Sequence, residues 1–185
     1  MGKRLESVER TIRRIVEAAI AEYAENGIEN TSMQAVARRA DVAPGTVLYH
    51  YESPNDLVEA VIEKWLAEMD VPSADSIDPN RPLDERVASL VNELHRLFER
   101  SEDAFRVWSM SPHHPVLQRS SAEWDVNVSE MLARTLGERA GEPETQAMVS
   151  VLVDPMLRGI MLARGIEPDR ASEIVIEQIL SFLES

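Results

Sequence analysis

The chain has 185 residues, no cysteine, 44% hydrophobic and 28% charged residues, and a formal net charge of −14. This length suits one compact body or a small module beside a larger one, and the composition is that of a globular protein rather than a disordered one. Without cysteine, disulfides, thiolate metal sites and cysteine nucleophiles are excluded.

No apolar run reaches the roughly 18 to 20 residues that cross a bilayer. Lys3 and Arg4 are followed by Glu6, Glu9 and Arg10 rather than by the apolar core of a signal peptide. A cytoplasmic protein with no membrane partner is expected. The charge is unevenly spread. Residues 1–50 hold seven basic and seven acidic side chains, whereas residues 51–185 hold 12 basic and 26 acidic ones. A polyanion can therefore approach one end while the rest repels non-specific contact, although an ordinary acidic surface explains the excess equally well.

Ile12, Ile15, Val16, Ala19, Ile20 and Tyr23 recur at helical spacing and predict an amphipathic helix over about residues 7–26. Asn26-Gly27 ends it, since glycine tolerates the left-handed cap. Thr31 or Ser32 caps a second helix with Met33, Val36, Ala37 and Ala40 on one face. After the turn Asp41-Val42-Ala43, Pro44 suits the first position of a third helix, where a missing N–H costs nothing. In that third helix Val47 and Tyr51 form an inward pair, while Thr46, Tyr49 and His50 share an outward face. Two short helices joined by such a turn describe a helix-turn-helix, whose second helix enters the DNA major groove.

Ser53 and Pro54 start a fourth helix with an apolar stripe through Leu57, Val58, Val61, Ile62, Trp65, Leu66 and Met69. The stretch "DVPSADSIDPNRP" (70–82) reads as a loop. Helices are then predicted over 83–100, 102–111, about 116–139, about 143–164 and about 168–184, with "PHHP" at 112–115 as a break. No β-type alternation stands out. The expected fold class is all-α, with about nine helices.

The stretch "TSMQAVARRADVAPGTVLYHYESPNDL" resembles the DNA-binding region of the tetracycline-repressor (TetR) family of transcriptional regulators. Thr31, Val36-Ala37, Ala40, Val42, Gly45-Thr46, His50-Tyr51 and Leu57 carry the likeness; the remainder resembles the family only in its architecture. Leu48 departs from a tyrosine that reaches the DNA backbone in many members, and Pro54 from a lysine that meets a phosphate. The resemblance implies a helix-turn-helix domain over 1–53 and a helical ligand-binding and dimerisation domain over 54–185. It implies DNA contact by Thr31, Ser32, Ala43, Pro44, Gly45, Thr46, Tyr49, His50 and Asn55. Lys3 and Arg4 suit an arm that follows the duplex, and equally a disordered terminus. The amides that open the fourth helix remain able to receive an anion.

Trp65, Met69, Phe98, Phe105, Trp108, Met110, Trp124, Met131 and Met156 are candidates to line an adaptable apolar cavity, each also compatible with ordinary core. His95, His113 and His114 lack a metal-binding spacing, and His113-His114 between prolines is more simply a turn. Neither a catalytic motif nor a cofactor motif is present, so no enzyme activity, cofactor or metal is expected. The last two helices are apolar on more than one side, which fits a homodimer through a four-helix bundle. Such a dimer presents two recognition helices about 34–36 Å apart to a near-palindromic double-stranded operator. The reading is a ligand-responsive regulator, a repressor released from its operator by an unidentified small molecule. The alternative is a helical ligand-binding or interaction module without specific DNA binding.

Overall fold

The computed structural model describes residues 2–184, apart from the side chains of residues 2–4 and 123. Lys3 and Arg4 have helical backbone, and the arm expected of their side chains lies outside the described residues. Among the described residues there are ten α-helical segments, two short 3₁₀ turns and no strand. One helix expected over 143–164 is divided at Asp154-Pro155 into two, which accounts for the tenth segment. Proline cannot donate to the preceding turn, and Asp154 caps the new start by accepting from the Met156 N–H at 2.7 Å.

Two compact units form, residues 1–69 with 101–121 and residues 70–100 with 122–185. The unit holding the helix-turn-helix thus runs on through the fourth helix and takes in a later stretch, rather than closing at residue 53. Its helices are α1 (Gly2–Asn26), α2 (Met33–Arg39), α3 (Pro44–His50), α4 (Pro54–Glu68) and α6 (Glu102–Met110). It also holds the first turns of α7 (Pro115–Leu136). Ile15, Ala19, Val36, Val47, Leu57, Val61 and Val107 meet in its core.

Several boundaries in this unit have a local cause. Gly27 closes α1 with φ +77° and donates to the Tyr23 carbonyl at 2.9 Å. Ser32 caps α2 by accepting from the Ala35 N–H at 3.1 Å. At the other end of α2, the Asp41 N–H donates to the Arg38 carbonyl at 3.2 Å and the Val42 N–H to the Ala37 carbonyl at 3.0 Å. This paired closure places Asp41 in the left-handed region, at φ 50°, where a glycine is more at ease. Arg14 from α1 holds the strained turn: its guanidinium donates to the Ala40 carbonyl, and to the Asp41 carbonyl at 2.9 Å. At α4, Ser53 and Asp56 form a reciprocal capping box, the Ser53 N–H donating to the Asp56 carboxylate at 2.8 Å. That carboxylate satisfies the Ser53 N–H at this helix start.

Ser111, at the end of α6, is buried and anchors the α1–α2 loop. Its hydroxyl accepts from the Ile28 N–H at 3.2 Å and donates to a Glu29 carboxylate oxygen at 2.5 Å. The Ser111 hydrogen bond, more than the nearby His114 and His113, holds the Glu29 carboxyl below its ordinary range. His114 closes the turn expected at 112–115 by donating its N–H to the Ser111 carbonyl at 3.1 Å.

The second unit contains α5 (Leu83–Arg100), the rest of α7, α8 (Pro143–Leu152), α9 (Pro155–Ala163) and α10 (Pro168–Leu183). Val87, Leu90, Val91 and Leu97 from α5 are buried, as are Val175 and Ile179 from α10, which packs along α5. The stretch expected as a loop at 70–82 holds a 3₁₀ turn at Ala74–Ser76 and buries Ile77 completely.

A polar cluster lies inside this unit. Arg158 of α9 is 5% exposed and pairs with Glu99 of α5, and His95 is 3% exposed with Nδ1 2.7 Å from the Ser172 hydroxyl. His95 Nε2 and Arg158 Nε are buried with no hydrogen-bond partner among the described residues. Burial, reinforced by the Arg158 charge, pushes the His95 pKa down to about 4. The native state therefore refuses a proton that the unfolded chain accepts below about pH 6.5. Stability present above that pH is lost as the pH falls towards 4, by about 2 kcal/mol at pH 5. Urea unfolding at pH 7.5 and pH 5 should show this loss in the wild type and a clearly smaller one in His95→Gln; equal losses would remove His95 as the cause.

Candidate nucleic-acid interface and ligand cavity

The outward face of α3 is polar because its inward face is fully committed. Val47 is completely buried and Tyr51 nearly so, which turns the other side of this seven-residue helix to solvent. Tyr49 is 83% exposed, and its ring meets His50 edge-on with centroids 5.1 Å apart. Thr46 and His50 are half-buried, and Ala43, Pro44, Gly45 and Asn55 are exposed. Leu48 is 52% exposed beside Tyr49, an apolar side chain on a face that otherwise seeks hydrogen bonds.

Thr31 and Ser32 are not equivalent. The Thr31 hydroxyl donates to the Gly27 carbonyl at 2.8 Å, so its proton is already used inside the protein. Among the described residues Ser32 accepts from Ala35 and donates to none, so its hydroxyl hydrogen stays available for an outside acceptor.

Gly45 has a negative φ, and a Cβ built on it meets no atom within 4 Å. Neither backbone geometry nor packing asks for glycine there. Glycine inside a helix costs up to about 1 kcal/mol relative to alanine. The fold leaves this residue unexplained.

The charges sort in the same way. Arg39 is tied to Glu22 at 3.1 Å and Glu25 at 2.7 Å, and Arg14 to the α2–α3 turn. Arg10, Arg13 and Arg38 are exposed and form no ion pair among the described residues.

The second unit contains a cavity of about 470 Å³ between α5, α7, α8 and the start of α9. Phe98 and Trp124 line it, as expected of them, together with Leu94, Val128, Asp125 and Asp154. The other cavity candidates stand elsewhere. Trp65 and Trp108 stack in the first unit with centroids 5.9 Å apart, and the Trp108 indole N–H donates to Ser121 at 3.0 Å. Met69 packs on the same core, and Phe105 and Met110 also belong to that unit. Met131 is fully buried core, while Met156 is 62% exposed. An apolar side chain looks the same in a sequence whether it faces a core, a cavity or a partner. The polar walls were missed altogether, although Asp154 before Pro155 carries a helix-start signature. Among the described residues no group of three metal-ligating side chains comes together.

Residues 15–61 match the model of the bacterial regulatory proteins of the tetR family. Over 187 aligned residues the chain is 26% identical to the HTH-type transcriptional regulator BetI of Burkholderia mallei, covering 93% of this chain and 95% of that one. The fold matches a TetR-like transcriptional regulator from Rhodococcus sp. RHA1 with a TM-score of 0.70 at 15% identity, over 95% of this chain and 96% of that one. It also matches NalD of Pseudomonas aeruginosa, the secondary repressor of the MexAB-OprM multidrug efflux pump, with a TM-score of 0.62 at 18% identity, over 95% and 96% of the two chains. Helix-turn-helix geometry, an outward polar face on α3 and these likenesses agree: residues 15–61 form a DNA-binding domain of the tetR-family type, in a chain similar along its length to transcriptional regulators.

Proposed function

We propose that this regulator is a cytoplasmic repressor that binds a near-palindromic duplex as a homodimer and leaves it when a small molecule occupies the cavity of the second unit. The observation that carries the reading is the outward face of α3, with Tyr49 83% exposed and a glycine at 45 that the fold does not need. The contacts are assigned to Ser32, Thr46, Tyr49 and His50, with Ala43, Pro44 and Gly45 forming the close wall and Thr31 positioning the loop. Asn55 reaches the phosphates from α4. The function of NalD as a repressor supports the direction of regulation.

Dimerisation has its own support. Met148 and Val151 on α8 and Met156 and Ile160 on α9 are 41–63% exposed. The Pro143–Ala163 segment has a mean hydropathy of 1.3 in its most apolar window, of which 17% is buried. This segment is long and apolar enough for a membrane span by composition, contrary to the expectation from the sequence, yet Asp154-Pro155 interrupts it. A second copy covers such a surface, and α8–α9 and α10 are the last two helices of the expected bundle.

Release follows from differential affinity. An occupant that binds better to a conformation in which the two recognition helices miss successive grooves lowers operator affinity by the same factor that operator lowers occupant affinity. α7 runs through both units and provides a continuous element for that coupling.

Gel-shift titration on the promoter region beside its own gene should show binding that weakens steeply as salt rises. Tyr49→Ala should cost about 1–3 kcal/mol of operator affinity with the dimer intact. Unchanged affinity would place the contact on another face. Gly45→Ala should separate fold from function: thermal stability stays level or rises by up to about 1 kcal/mol, while operator affinity falls roughly tenfold. Sedimentation should detect the dimer, and Val151→Asp should raise its dissociation constant by about tenfold or more. A dimer indifferent to Val151→Asp assigns the interface elsewhere.

A further inference from the structure

We propose that Arg14 is a positioning residue for operator binding: it sets the start of α3 by bracing the turn before it, without itself touching the duplex. This rests on α3 being the helix that reads DNA. That helix opens without a side-chain cap. Ala43, its N-cap residue, has no side-chain acceptor, whereas Ser32 caps α2 and Ser53 with Asp56 caps α4. Pro44 at the first position fixes its own φ but not the direction in which the helix leaves the turn. The direction of α3 is therefore inherited from Asp41 and Val42.

Those residues hold a conformation that their sequence does not favour. Asp41 has φ 50°, and among the described residues no other non-glycine has a positive φ. Left to itself, a strained turn relaxes towards other dihedrals and carries the following helix with it. Arg14 supplies the brace from α1. Its Nη2 donates to the Ala40 carbonyl, to the Asp41 carbonyl at 2.9 Å and to the Asp41 carboxylate at 3.3 Å. Among the described residues no other side chain hydrogen-bonds to residues 40–42. Ile15, beside Arg14 in α1, is completely buried, so the brace starts from a fixed point.

Arg14 thus differs from Arg10, Arg13 and Arg38, which are exposed and form no ion pair among the described residues. A lysine in its place keeps the charge, but ends in a flexible stem without the planar guanidinium. Glycine at 41 removes the strain and with it the need for a brace. A brace therefore becomes dispensable once residue 41 is glycine, and a direct phosphate contact does not.

The test uses the full-length protein and the operator duplex located by footprinting, with affinity measured over a salt series. Arg14→Lys should weaken operator binding about fivefold in the wild-type background and less than about twofold in Asp41→Gly. Asp41→Ala and Asp41→Gly remove the same carboxylate, but alanine strains the left-handed turn and glycine relaxes it. Operator affinity should fall with the first and hold with the second. Arg14→Gln combined with Asp41→Gly leaves the net charge unchanged, so the salt slope should stay level; a slope lower by about one marks a phosphate contact and overturns the proposal. Equal losses for Arg14→Lys in both backgrounds, or no loss in either, overturn it too. Hydrogen exchange follows the turn without DNA. The Val42 and Thr46 amides, which donate to Ala37 at 3.0 Å and Ala43 at 2.8 Å, should exchange faster in Arg14→Lys and recover with Asp41→Gly. Unchanged exchange removes the brace. A wild type that retains no duplex instead removes α3 as the reading helix, an outcome distinct from a wild type that binds while Arg14 proves indifferent.

Discussion

Two helices of seven residues cannot persist on their own hydrogen bonds, because helix nucleation costs more than so short a segment returns. Everything the polar face of α3 does depends on that constraint being met from beneath. Val36, Ala37 and Val47 supply the buried side of the pair, α1 and α4 supply the surface they rest on, and Arg14 fastens the turn between them. The turn itself is under strain, with Asp41 in a left-handed conformation that an aspartate tolerates less well than a glycine. A charged donor reaching two carbonyls offsets that cost where a glycine would have avoided it.

Once the support is in place, the unit divides its polar groups into those satisfied inside and those left for outside. Thr31, Arg39 and Ser111 have internal partners and shape the scaffold. Ser32, Thr46, Tyr49 and the exposed arginines at 10, 13 and 38 remain at the surface. A neutral first stretch is thereby able to meet a polyanion even though the chain as a whole carries −14. Net charge describes the average field; the local supply of unpaired donors decides where a duplex is tolerated.

Much of this was legible in the sequence because helix ends are written in local chemistry. Gly27, Ser32, Pro44, Ser53, Pro143 and Pro168 each stop or start a helix where expected, and the spacing of Val47, Tyr51, Thr46 and Tyr49 separated the two faces of α3. The reading failed where the decisive partner is distant. Arg14 lies 27 residues from Asp41, and Ser111 lies 83 from Ile28, separations that no periodicity reports. Aromatic residues were read as a set, yet Trp65 and Trp108 stack in one unit and Phe98 and Trp124 border a cavity in the other. Arg158 sits in an apolar helix and is buried all the same, because the half-exposed Glu99 of α5 pairs with it.

The chain passes between its two units three times, after residues 69, 100 and 121. No single cut yields the operator-facing unit intact. A fragment ending at residue 53 or 69 keeps α1, α2 and α3 but abandons α6, and with it the serine hydroxyl that fixes the loop leading into α2. Grafting this regulator's recognition surface onto a different sensor thus means transplanting an internal segment as well as a terminal one, and any recombination that respects only linear order inherits a loosened reading head.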